Sequence, residues 1–566
     1  MNLSAKNRSK LLQACKKETF DLIIIGGGIT GAGIALDASL RGLKCALFEM
    51  QDFSAGTSSR STKLIHGGLR YLKQLEIGLV REVGLERAIV HRNARHVVRA
   101  EKMLLPIIKN GSLGKFTSSI ALSVYDFLAD VEKVERRKML SKHQTQKAEP
   151  LLNKENLLGG GLYYEYRSDD ARLTIEVLKS ATKHGAKCFS YTKVEDFTYS
   201  NETDTINGIV VNDLINQQKI TINAKTVVNA AGPWVDKLRG IDGTVMGKRL
   251  QLTKGVHLVI EKETLPVKQA CYFDVGDGRM IFAIPRNKVV YIGTTDTTYT
   301  AQIARPKISE ADVLYILAAA NKMFPTANLQ VTDIISTWAG LRPLIHEDGK
   351  SPSELSRKDE IFISDSGLIS IAGGKLTGYR KMAERTVDEV VKELEKTESN
   401  SFKQCATENE LLSGGKFKDE AEFKALIQKI TKQIASIDLT EADAANLVGK
   451  YGSNSPKIIT ILTGLSHDYN HYSSNLKLLV AELIYGVEHE MVLTLSDFIV
   501  RRTGRLYFER PEIIEYVEVL NSELATLLSL TAEQKNQSYT EFITEYNEVL
   551  EFHKEPIDLV EKELVA

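Results

Sequence analysis

Cysteine is scarce in this sequence, and neither sign of charge is in excess. The 566 residues include five cysteines, and no two of them form a CxxC pair. This scarcity argues against a disulfide framework and against a zinc site, and it indicates a reducing compartment such as the cytoplasm. Lys and Arg number 73, as do Asp and Glu, so the formal net charge is zero. We therefore expect neither a metal centre nor a nucleic-acid partner, because proteins that bind nucleic acids usually carry basic patches.

Long hydrophobic runs are also missing. The N-terminal segment mixes basic side chains with leucines and has no continuous apolar core, so no signal peptide is predicted. No later stretch is apolar for long enough to span a bilayer. The sequence predicts a protein that does not cross a membrane, although it can lie on the surface of one.

The chain is longer than one hydrophobic core usually organises, so at least two lobes are expected. Residues 21–25 are a β-branched apolar run, residues 31–41 have a helical pattern, and residues 44–48 are a second apolar run. This strand–helix–strand order is typical of a parallel sheet.

The rest of the chain changes character near residues 399–416. Before this boundary we predict helical material up to about residue 100, a strand pair at 219–231, and strands at 255–260, 280–284 and 289–293. After it, amphipathic patterns at residues 420–435 and 476–488 predict a helical domain.

The first predicted strand leads into a GxGxxG loop with glycines at Gly26, Gly28 and Gly31. In such a loop the first glycine permits a tight turn, the second lets the backbone approach a diphosphate, and the third permits close helix–strand packing. Glu49 ends the second strand 23 positions (49 minus 26) after Gly26, where an acidic residue binds a ribose and disfavours NADP. The spacing predicts a dinucleotide site and leaves NAD and FAD both open.

Seven further blocks follow one another along the chain. They are GTSSRSTKLIHGGLRYL (56–72), VVNAAGPWVD (227–236), TKGVHLV (253–259), GTTDT (293–297), WAGLRPL (338–344), AGGKLTGYRKMAE (372–384) and DFIVRRTGRLYF (497–508). In content and order they resemble the FAD-dependent glycerol-3-phosphate dehydrogenases, in the form found in low-GC Gram-positive bacteria. The resemblance covers about residues 18–510 and implies FAD as the cofactor.

The resemblance implies an α/β (α+β) fold of three parts. The first is a Rossmann-like FAD-binding domain of the amino-acid-oxidase-like flavoprotein fold, at residues 18–100, 150–240 and 335–395. An antiparallel-sheet substrate domain is expected at residues 101–149 and 241–334, and an all-helical C-terminal domain at 396–566.

The resemblance also implies a reaction. The family oxidises glycerol 3-phosphate to dihydroxyacetone phosphate in glycerol and glycerophospholipid catabolism and passes the electrons to a membrane quinone. This implies a cytoplasmic protein held peripherally at the inner face of the cell membrane, with a homodimer as a further possibility.

Two alternatives to the quinone-reducing dehydrogenase stay open. One is a glycerophosphate oxidase, which reduces oxygen to hydrogen peroxide, and the other is a non-catalytic flavin-binding redox sensor. Some of the oxidases carry a long insertion between the WAGLRPL and AGGK blocks. Here only 27 residues, 345–371, separate these blocks, which favours the dehydrogenase.

Cations in the family blocks are predicted to hold the substrate and to serve catalysis: Arg70, Arg342 and Lys375. Guanidinium groups offer paired donors to phosphate oxygens, and Pro343 stiffens the chain after Arg342. Tyr71 is predicted to close the substrate pocket, although packing in a core is an equally good interpretation.

Oxidation of an alcohol requires a base, and histidine is the usual one near neutral pH. His66, beside two glycines, is predicted to act next to the flavin. His257, in a predicted strand, is a second candidate for the base or for a substrate contact, although such a residue is often a hydrogen-bonded core histidine.

Small and hydroxyl-bearing residues of the same blocks are predicted to contact the cofactor. They are Thr57, Ser58, Ser59, Ala231, Gly232, Gly374, Lys375 and Thr377. The paired Arg501 and Arg502 are interpreted as structural or interfacial.

Two segments are hypothesised to lie on a membrane surface, because a quinone dissolves in the bilayer. The N-terminal segment has basic residues and leucines before Glu18, and residues 115–138 mix apolar side chains with a basic end at 136–138. Such segments can bind anionic headgroups, but an amphipathic helix more often packs on its own protein.

Overall fold

The computed structural model describes residues 3–66, 77–109, 111, 137–243, 245, 248–346, 358–396 and 401–554. Its strands are β1 (Thr19–Ile25), β2 (Cys45–Phe48), β3 (Leu64–Ile65), β4 (Val98–Ile108), β5 (Lys138–Ser141), β6 (Leu157–Ser168), β7 (Lys187–Phe189), β8 (Thr192–Tyr199), β9 (Ile206–Asp213), β10 (Gln218–Asn229), β11 (Leu250–Glu261), β12 (Ala270–Asp274), β13 (Met280–Arg286), β14 (Val289–Gly293), β15 (Thr297–Thr298), β16 (Ile334–Ile345), β17 (Asp359–Ile363) and β18 (Ile369–Gly373).

The α-helices alternate with these strands at first and then dominate the chain. They span Arg8–Cys15, Ile29–Arg41, Ile77–Asn93, Lys142–Ala148, Asp170–Lys183, Val235–Ile241, Glu310–Met323, Tyr379–Glu395, Glu420–Ile434, Glu441–Tyr451, Ser455–Thr463, Ser474–His489, Arg505–Phe508, Arg510–Ile513, Val517–Leu528 and Ala532–Glu548. The segment Asp497–Arg502 is wound as a π-helix.

The first sheet has the order β17-β18-β10-β1-β2-β7, with β8 and β9 joined to β10. Strand β1 is parallel to both β10 and β2, and its apolar run is buried on both faces, as a central parallel strand requires. Leu22 and Ile24 pack with the helices Ile29–Arg41 and Tyr379–Glu395. The predicted strand–helix–strand unit is confirmed, and its helix begins two residues before the predicted residue 31.

The second sheet has the order β15-β11-β14-β13-β12-β4-β6-β3, with β16 paired to β11 and β5 to β6. Its pairs are antiparallel except for β12 with β4. The long ladder between β11 and β16 runs from Leu250 opposite Ile345 to Ile260 opposite Ile334. This ladder brings the blocks TKGVHLV and WAGLRPL side by side, although about 80 residues separate them in the chain.

One strand prediction and one helix prediction need correction. Residues 219–231 are not a strand pair, because the hairpin turn lies earlier, at residues 214–217, and β10 is one strand paired with β9. The helix expected to reach about residue 100 ends at Asn93, and Val98 already begins β4, which pairs with β6.

Several strands do not follow the predicted domain boundaries; β3, for example, lies in the range 18–100 but pairs with β6 in the second sheet. Strand β6 lies in the range 150–240 and β16 begins the range 335–395, both assigned to the flavin domain, yet both pair within the second sheet. The domain division stays a prediction. From Glu420 onward the described chain is helical, apart from isolated bridges. The helices from Ser474 onward share a core with the second sheet, and those between Glu420 and Thr463 pack in a separate core.

The N-terminal segment buries two of its three leucines, and the third, Leu11, is partly buried against the core that contains Leu12. Leu3 and Leu12 are buried, and the Arg8 guanidinium, also buried, donates to the Asp213 carboxylate at 2.8 Å. The hypothesis that this segment lies on a membrane is therefore wrong, because its apolar face packs on the protein itself. The other segment, 115–138, falls almost wholly outside the described residues. In the part of the chain that the structure describes, every helix is too short or too polar to cross a bilayer.

Candidate functional site

A cavity of about 440 Å³ lies at the carboxyl ends of the parallel strands β1, β2 and β10. Ligands bind at this edge of open parallel sheets, because the strand-to-helix turns meet there. The residues of the cavity wall include the predicted cofactor contacts Gly26, Gly28, Glu49, Thr57, Ser58, Ala231, Gly232, Gly374 and Lys375. Three distant parts of the sequence, around residues 26–58, 231–232 and 374–375, thus form one wall.

The GxGxxG loop is packed so tightly that two of its glycines have no room for a side chain. Gly26 has a φ of +110°, and a Cβ there would lie 2.5 Å from the Ala230 carbonyl oxygen. A Cβ on Gly31 would lie 1.9 Å from the carbonyl oxygen of Gly26. A Cβ on Gly28 would meet only the Ser58 hydroxyl, at 3.1 Å, so Gly28 is the glycine that faces the cavity. These three roles agree with the dinucleotide interpretation.

The amino end of the helix Ile29–Arg41 lines this cavity with Gly28, Ile29 and Thr30. Gly28 is the N-cap and offers no side-chain oxygen. The Ile29 amide instead donates to the Ser58 hydroxyl at 2.9 Å. A helix amino terminus carries partial positive charge and readily binds a phosphate. When a diphosphate binds, one of its oxygens can take the place of the Ser58 hydroxyl as acceptor of the Ile29 amide, and the Ser58 hydroxyl can then donate to the diphosphate.

The Glu49 carboxylate is held rigidly at the cavity wall. One oxygen accepts the Gly27 amide at 2.7 Å and the other accepts the Gln51 amide at 2.8 Å. Burial raises the pKa of Glu49, and the two amides oppose that rise. Each carboxylate oxygen has a second lone pair, so the ribose-binding role is compatible with both backbone contacts.

A second cavity of about 340 Å³ adjoins the first. The two share the residues Ile29, Thr57, Ser58, Pro343, Gly374, Lys375 and Leu376. A long molecule anchored on the glycine loop can therefore reach from one cavity to the other. At the junction, Gly374 has a φ of +79°, a left-handed conformation that favours glycine.

Arg342 and Lys375 both line the second cavity. Arg342 donates to the Asp296 carboxylate at 3.1 Å and to the Thr294 hydroxyl at 3.2 Å. Its side chain keeps 22% exposure. The Asp296 contact orients the guanidinium and neutralises part of its charge, so an anionic ligand must share Arg342 with Asp296.

His66 lines the second cavity and is half-buried. Its backbone exchanges two hydrogen bonds with the Thr377 hydroxyl, at 3.1 and 3.2 Å. Its ring meets Phe282 edge to face, with 6.2 Å between ring centroids. Thr377, predicted as a cofactor contact, thus also fixes the main chain of the predicted base.

His257 also borders the second cavity, but its ring is enclosed. Its Nε2 lies 3.0 Å from the Thr62 hydroxyl, and the ring stacks on Trp338 at 4.7 Å. Burial holds the pKa of His257 well below its ordinary value, and Arg342 and Lys63 lower it further. Its Nδ1 has no hydrogen-bond partner among the described residues. The ring is therefore neutral and sits behind Thr62.

The remaining predicted residues are distributed differently. The Thr57 hydroxyl donates to the Leu341 carbonyl at 2.7 Å, which ties the two cavity walls together. Ser59 is buried and lines neither cavity, and its carbonyl accepts the Lys63 ammonium at 2.8 Å. Arg70 and Tyr71 lie outside the described residues.

Several cavity residues were missed in the sequence. Arg60, Thr62, Trp234 and Asp296 lie inside the quoted blocks, so those blocks could have indicated them. Arg279 lines the second cavity and pairs with Asp277 at 2.8 Å, but no motif surrounds it.

Comparisons with known proteins agree with this geometry. The family model for FAD dependent oxidoreductases matches residues 21–380. The model for the C-terminal domain of alpha-glycerophosphate oxidase matches residues 405–535. Together they cover both the sheets and most of the helical part.

Full-length relatives are also similar. The aerobic glycerol-3-phosphate dehydrogenase of Staphylococcus haemolyticus is 50% identical over 97% of this chain and 98% of its own. That of Bacillus subtilis is 50% identical over 94% of this chain and 96% of its own.

Two solved structures share the fold. The glycerol-3-phosphate dehydrogenase of Bacillus halodurans, complexed with FAD, superposes with a TM-score of 0.83 at 45% identity, over 98% of this chain and 100% of its own. The L-alpha-glycerophosphate oxidase of Mycoplasma pneumoniae, with FAD bound, has a TM-score of 0.55 at 17% identity, over 71% of this chain and 98% of its own. The second likeness concerns the fold alone.

Proposed function

Because the chain belongs to the family of FAD-dependent glycerol-3-phosphate dehydrogenases, we propose that it oxidises sn-glycerol 3-phosphate to dihydroxyacetone phosphate and delivers the electrons to a membrane quinone. The observation that carries this proposal is the adjoining pair of cavities. One holds the dinucleotide loop, and the other holds cations and a histidine around a space for a small anion.

The described residues fit FAD. The glycine loop and the amino end of the helix Ile29–Arg41 suit its diphosphate, and Glu49 suits its ribose. When bound, the flavin supplies the hydride acceptor for alcohol oxidation. The two cavities share Gly374 and Lys375 among their lining residues, so a flat ring can lie across the junction between them.

We assign the phosphate of the substrate to Arg342 and Lys375. Both cations border the second cavity. Charge-assisted hydrogen bonds to them would offset the unfavourable free energy of removing the phosphate dianion from water. The Asp296 carboxylate beside Arg342 orients the guanidinium before the substrate arrives. The carbon bearing the secondary hydroxyl then lies toward the junction with the first cavity.

We assign the base to His66. Its ring borders the cavity and is half-buried, whereas His257 is enclosed behind Thr62 and its protonation would add a cation near Arg342 and Lys63. A group that must accept a proton works poorly where burial and neighbouring cations both oppose its charged form. His257 then serves to orient Thr62.

Anaerobic reduction of the bound flavin tests this function. We expect sn-glycerol 3-phosphate to bleach the visible flavin absorbance, and free glycerol to do so only at far higher concentration, because it cannot use Arg342 and Lys375. Glycerol 2-phosphate, which lacks the secondary hydroxyl, serves as the matched control and should leave the flavin oxidised. A flavin that stays oxidised with sn-glycerol 3-phosphate would contradict the proposal.

The electron acceptor is tested separately. The short separation of 27 residues between the blocks at 338–344 and 372–384 favours a quinone over oxygen. We expect substrate-dependent reduction of a quinone held in anionic liposomes, faster at low than at high salt because headgroup attraction is screened. Oxygen uptake without quinone should be slow. Rapid uptake with stoichiometric hydrogen peroxide would favour the oxidase instead.

A further inference from the structure

The loop of residues 49–55, here called the wall loop, joins the cofactor cavity to the rest of the molecule. Glu49, Met50, Gln51 and Ala55 line the first cavity. The Ser54 amide donates to the Gly27 carbonyl at 3.0 Å, so the same loop supports the glycine turn. The conformation of the wall loop therefore sets the position of the ribose-binding Glu49 carboxylate and the shape of the diphosphate site.

Asp52 lies in the middle of the wall loop and is only 1% exposed. Arg502 binds both of its carboxylate oxygens, at 2.7 and 2.8 Å. Arg501 adds a third contact, from its Nε, at 2.5 Å. Burial alone would raise the pKa of Asp52, but Arg502 and Arg501 outweigh it and hold that pKa below its ordinary value. The carboxylate is therefore ionised and fully paired.

The two arginines come from the far end of the chain and are themselves anchored there. They close the π-helix Asp497–Arg502. Arg502 also donates to the Glu490 carbonyl at 2.8 Å, and Arg501 donates to the Asp497 carboxylate at 3.1 Å. The Tyr191 hydroxyl, which follows β7, donates to the same carboxylate at 2.6 Å. The helical part of the chain thus holds the wall loop through a connected set of buried hydrogen bonds and ion pairs.

A buried ion pair of this kind is a weak source of net stability, because desolvation offsets the attraction. Removing one partner is costly, however, since it strands a buried charge. The bidentate geometry also fixes the direction of the Asp52 carboxylate, and through it the backbone on either side, which carries Glu49 and Ser54.

We propose that Asp52, Arg501 and Arg502 are positioning residues for the cofactor, through which the C-terminal helices hold the wall loop in its FAD-binding shape. None of the three lines either cavity, so they act through Glu49 and the glycine loop. This proposal rests on the assignment of the first cavity to FAD, and it does not depend on the identity of the substrate or of the electron acceptor.

The test compares two arginines, each of which binds carboxylates in the interior of the protein or close to it. Arg502→Lys keeps the positive charge but cannot form the bidentate contact with both oxygens of the Asp52 carboxylate. Arg505→Lys is the matched control, because Arg505, whose side chain is 12% exposed, binds Glu482 at 2.7 Å and Glu509 at 2.9 Å, contacts that stay within the helical part of the chain. The full chain is stripped of flavin, FAD is titrated back, and thermal unfolding of each apoprotein is measured alongside.

We expect Arg502→Lys to raise the dissociation constant for FAD by at least about tenfold. At metal sites, mutating a residue that orients a metal ligand lowers the affinity by about 10- to 100-fold, and we take the lower end of that range. Arg505→Lys should change the dissociation constant for FAD by less than about twofold, even if both apoproteins unfold at similarly lowered temperatures. At saturating FAD, kcat of Arg502→Lys should return to the wild-type value. Equal effects of the two variants on FAD affinity, or none, would overturn the proposal.

A second variant keeps the test decisive if Arg502→Lys does not fold. Arg501→Lys removes one contact to Asp52 and leaves the paired contacts of Arg502 intact, so it should weaken FAD binding in the same direction and by less. Unchanged affinity in a folded Arg501→Lys protein would overturn the proposal by itself. A wild-type protein that bound FAD but failed to oxidise glycerol 3-phosphate would defeat the proposed reaction and leave this inference standing.

Discussion

Arg342→Ala should raise the Michaelis constant for glycerol 3-phosphate far more than that for free glycerol. The substitution removes a charge-assisted contact to the phosphate and leaves the Asp296 carboxylate, 3.1 Å from Arg342 in the intact site, without that cation. Truncating one partner of a buried charge pair costs about 2–5 kcal/mol, which corresponds to roughly 30-fold to several thousand-fold in binding. Steady-state kinetics with both substrates measure the difference.

A matched arginine controls for the loss of charge alone. Arg167 is 27% exposed on β6 and pairs with Glu101 at 3.0 Å, but it lines neither cavity. Arg167→Ala should leave the preference for the phosphorylated substrate unchanged. If Arg342→Ala keeps that preference as well, the phosphate does not bind at Arg342.

Gly28→Val is expected to yield a folded protein that contains no flavin. The new side chain would project into the first cavity, where its Cβ meets only the Ser58 hydroxyl, at 3.1 Å. The backbone at Gly28 has a φ of −77°, which any residue adopts, so the fold has no reason to fail. The diphosphate, however, would lose its close approach to the backbone. Visible absorbance and circular dichroism of the purified protein measure the two effects.

Two other glycines separate folding from binding. Gly449→Val should keep its flavin, because a Cβ at Gly449 meets nothing within 4 Å and the helix Glu441–Tyr451 lies away from both cavities. Gly31→Ala should fail to accumulate as folded protein, since its Cβ would lie 1.9 Å from a carbonyl oxygen. A yellow Gly28→Val protein with normal flavin content would show that the loop is misassigned.

The cofactor site could be predicted because its determinants are local. A single short stretch of the chain contains the apolar run of β1, the glycines and Glu49. The hydrophobic periodicity and the spacing of glycines in a sequence predict such a unit directly. The predicted helix start was two residues late, because the pattern of side chains does not reveal that the backbone of Gly28 already forms the cap. That error has no consequence for the chemistry.

The substrate site was less accessible to this kind of reasoning. No local pattern connects His66, Arg342 and Lys375, and only resemblance to a family indicated them together. Their meeting depends on the pairing of β16 with β11 and on the position of the AGGK block, which lines the same cavity as the glycine loop. The enclosure of His257 behind Thr62 was likewise invisible, because a histidine in an apolar strand has the same sequence pattern in a core and at a catalytic site.

The sequence by itself determined the strand–helix–strand unit, the dinucleotide loop and the helical character of the last third, since periodicity and glycine spacing act over a few residues. The tertiary structure alone decided which distant charges meet. The basic residues and leucines of the N-terminal segment predicted a membrane-binding surface, but in the structure the Arg8 guanidinium is buried and bound to Asp213. Asp52 and Arg502 are 450 positions apart, and only the packed core brings them together, because a buried charge must find its partner wherever the chain places one.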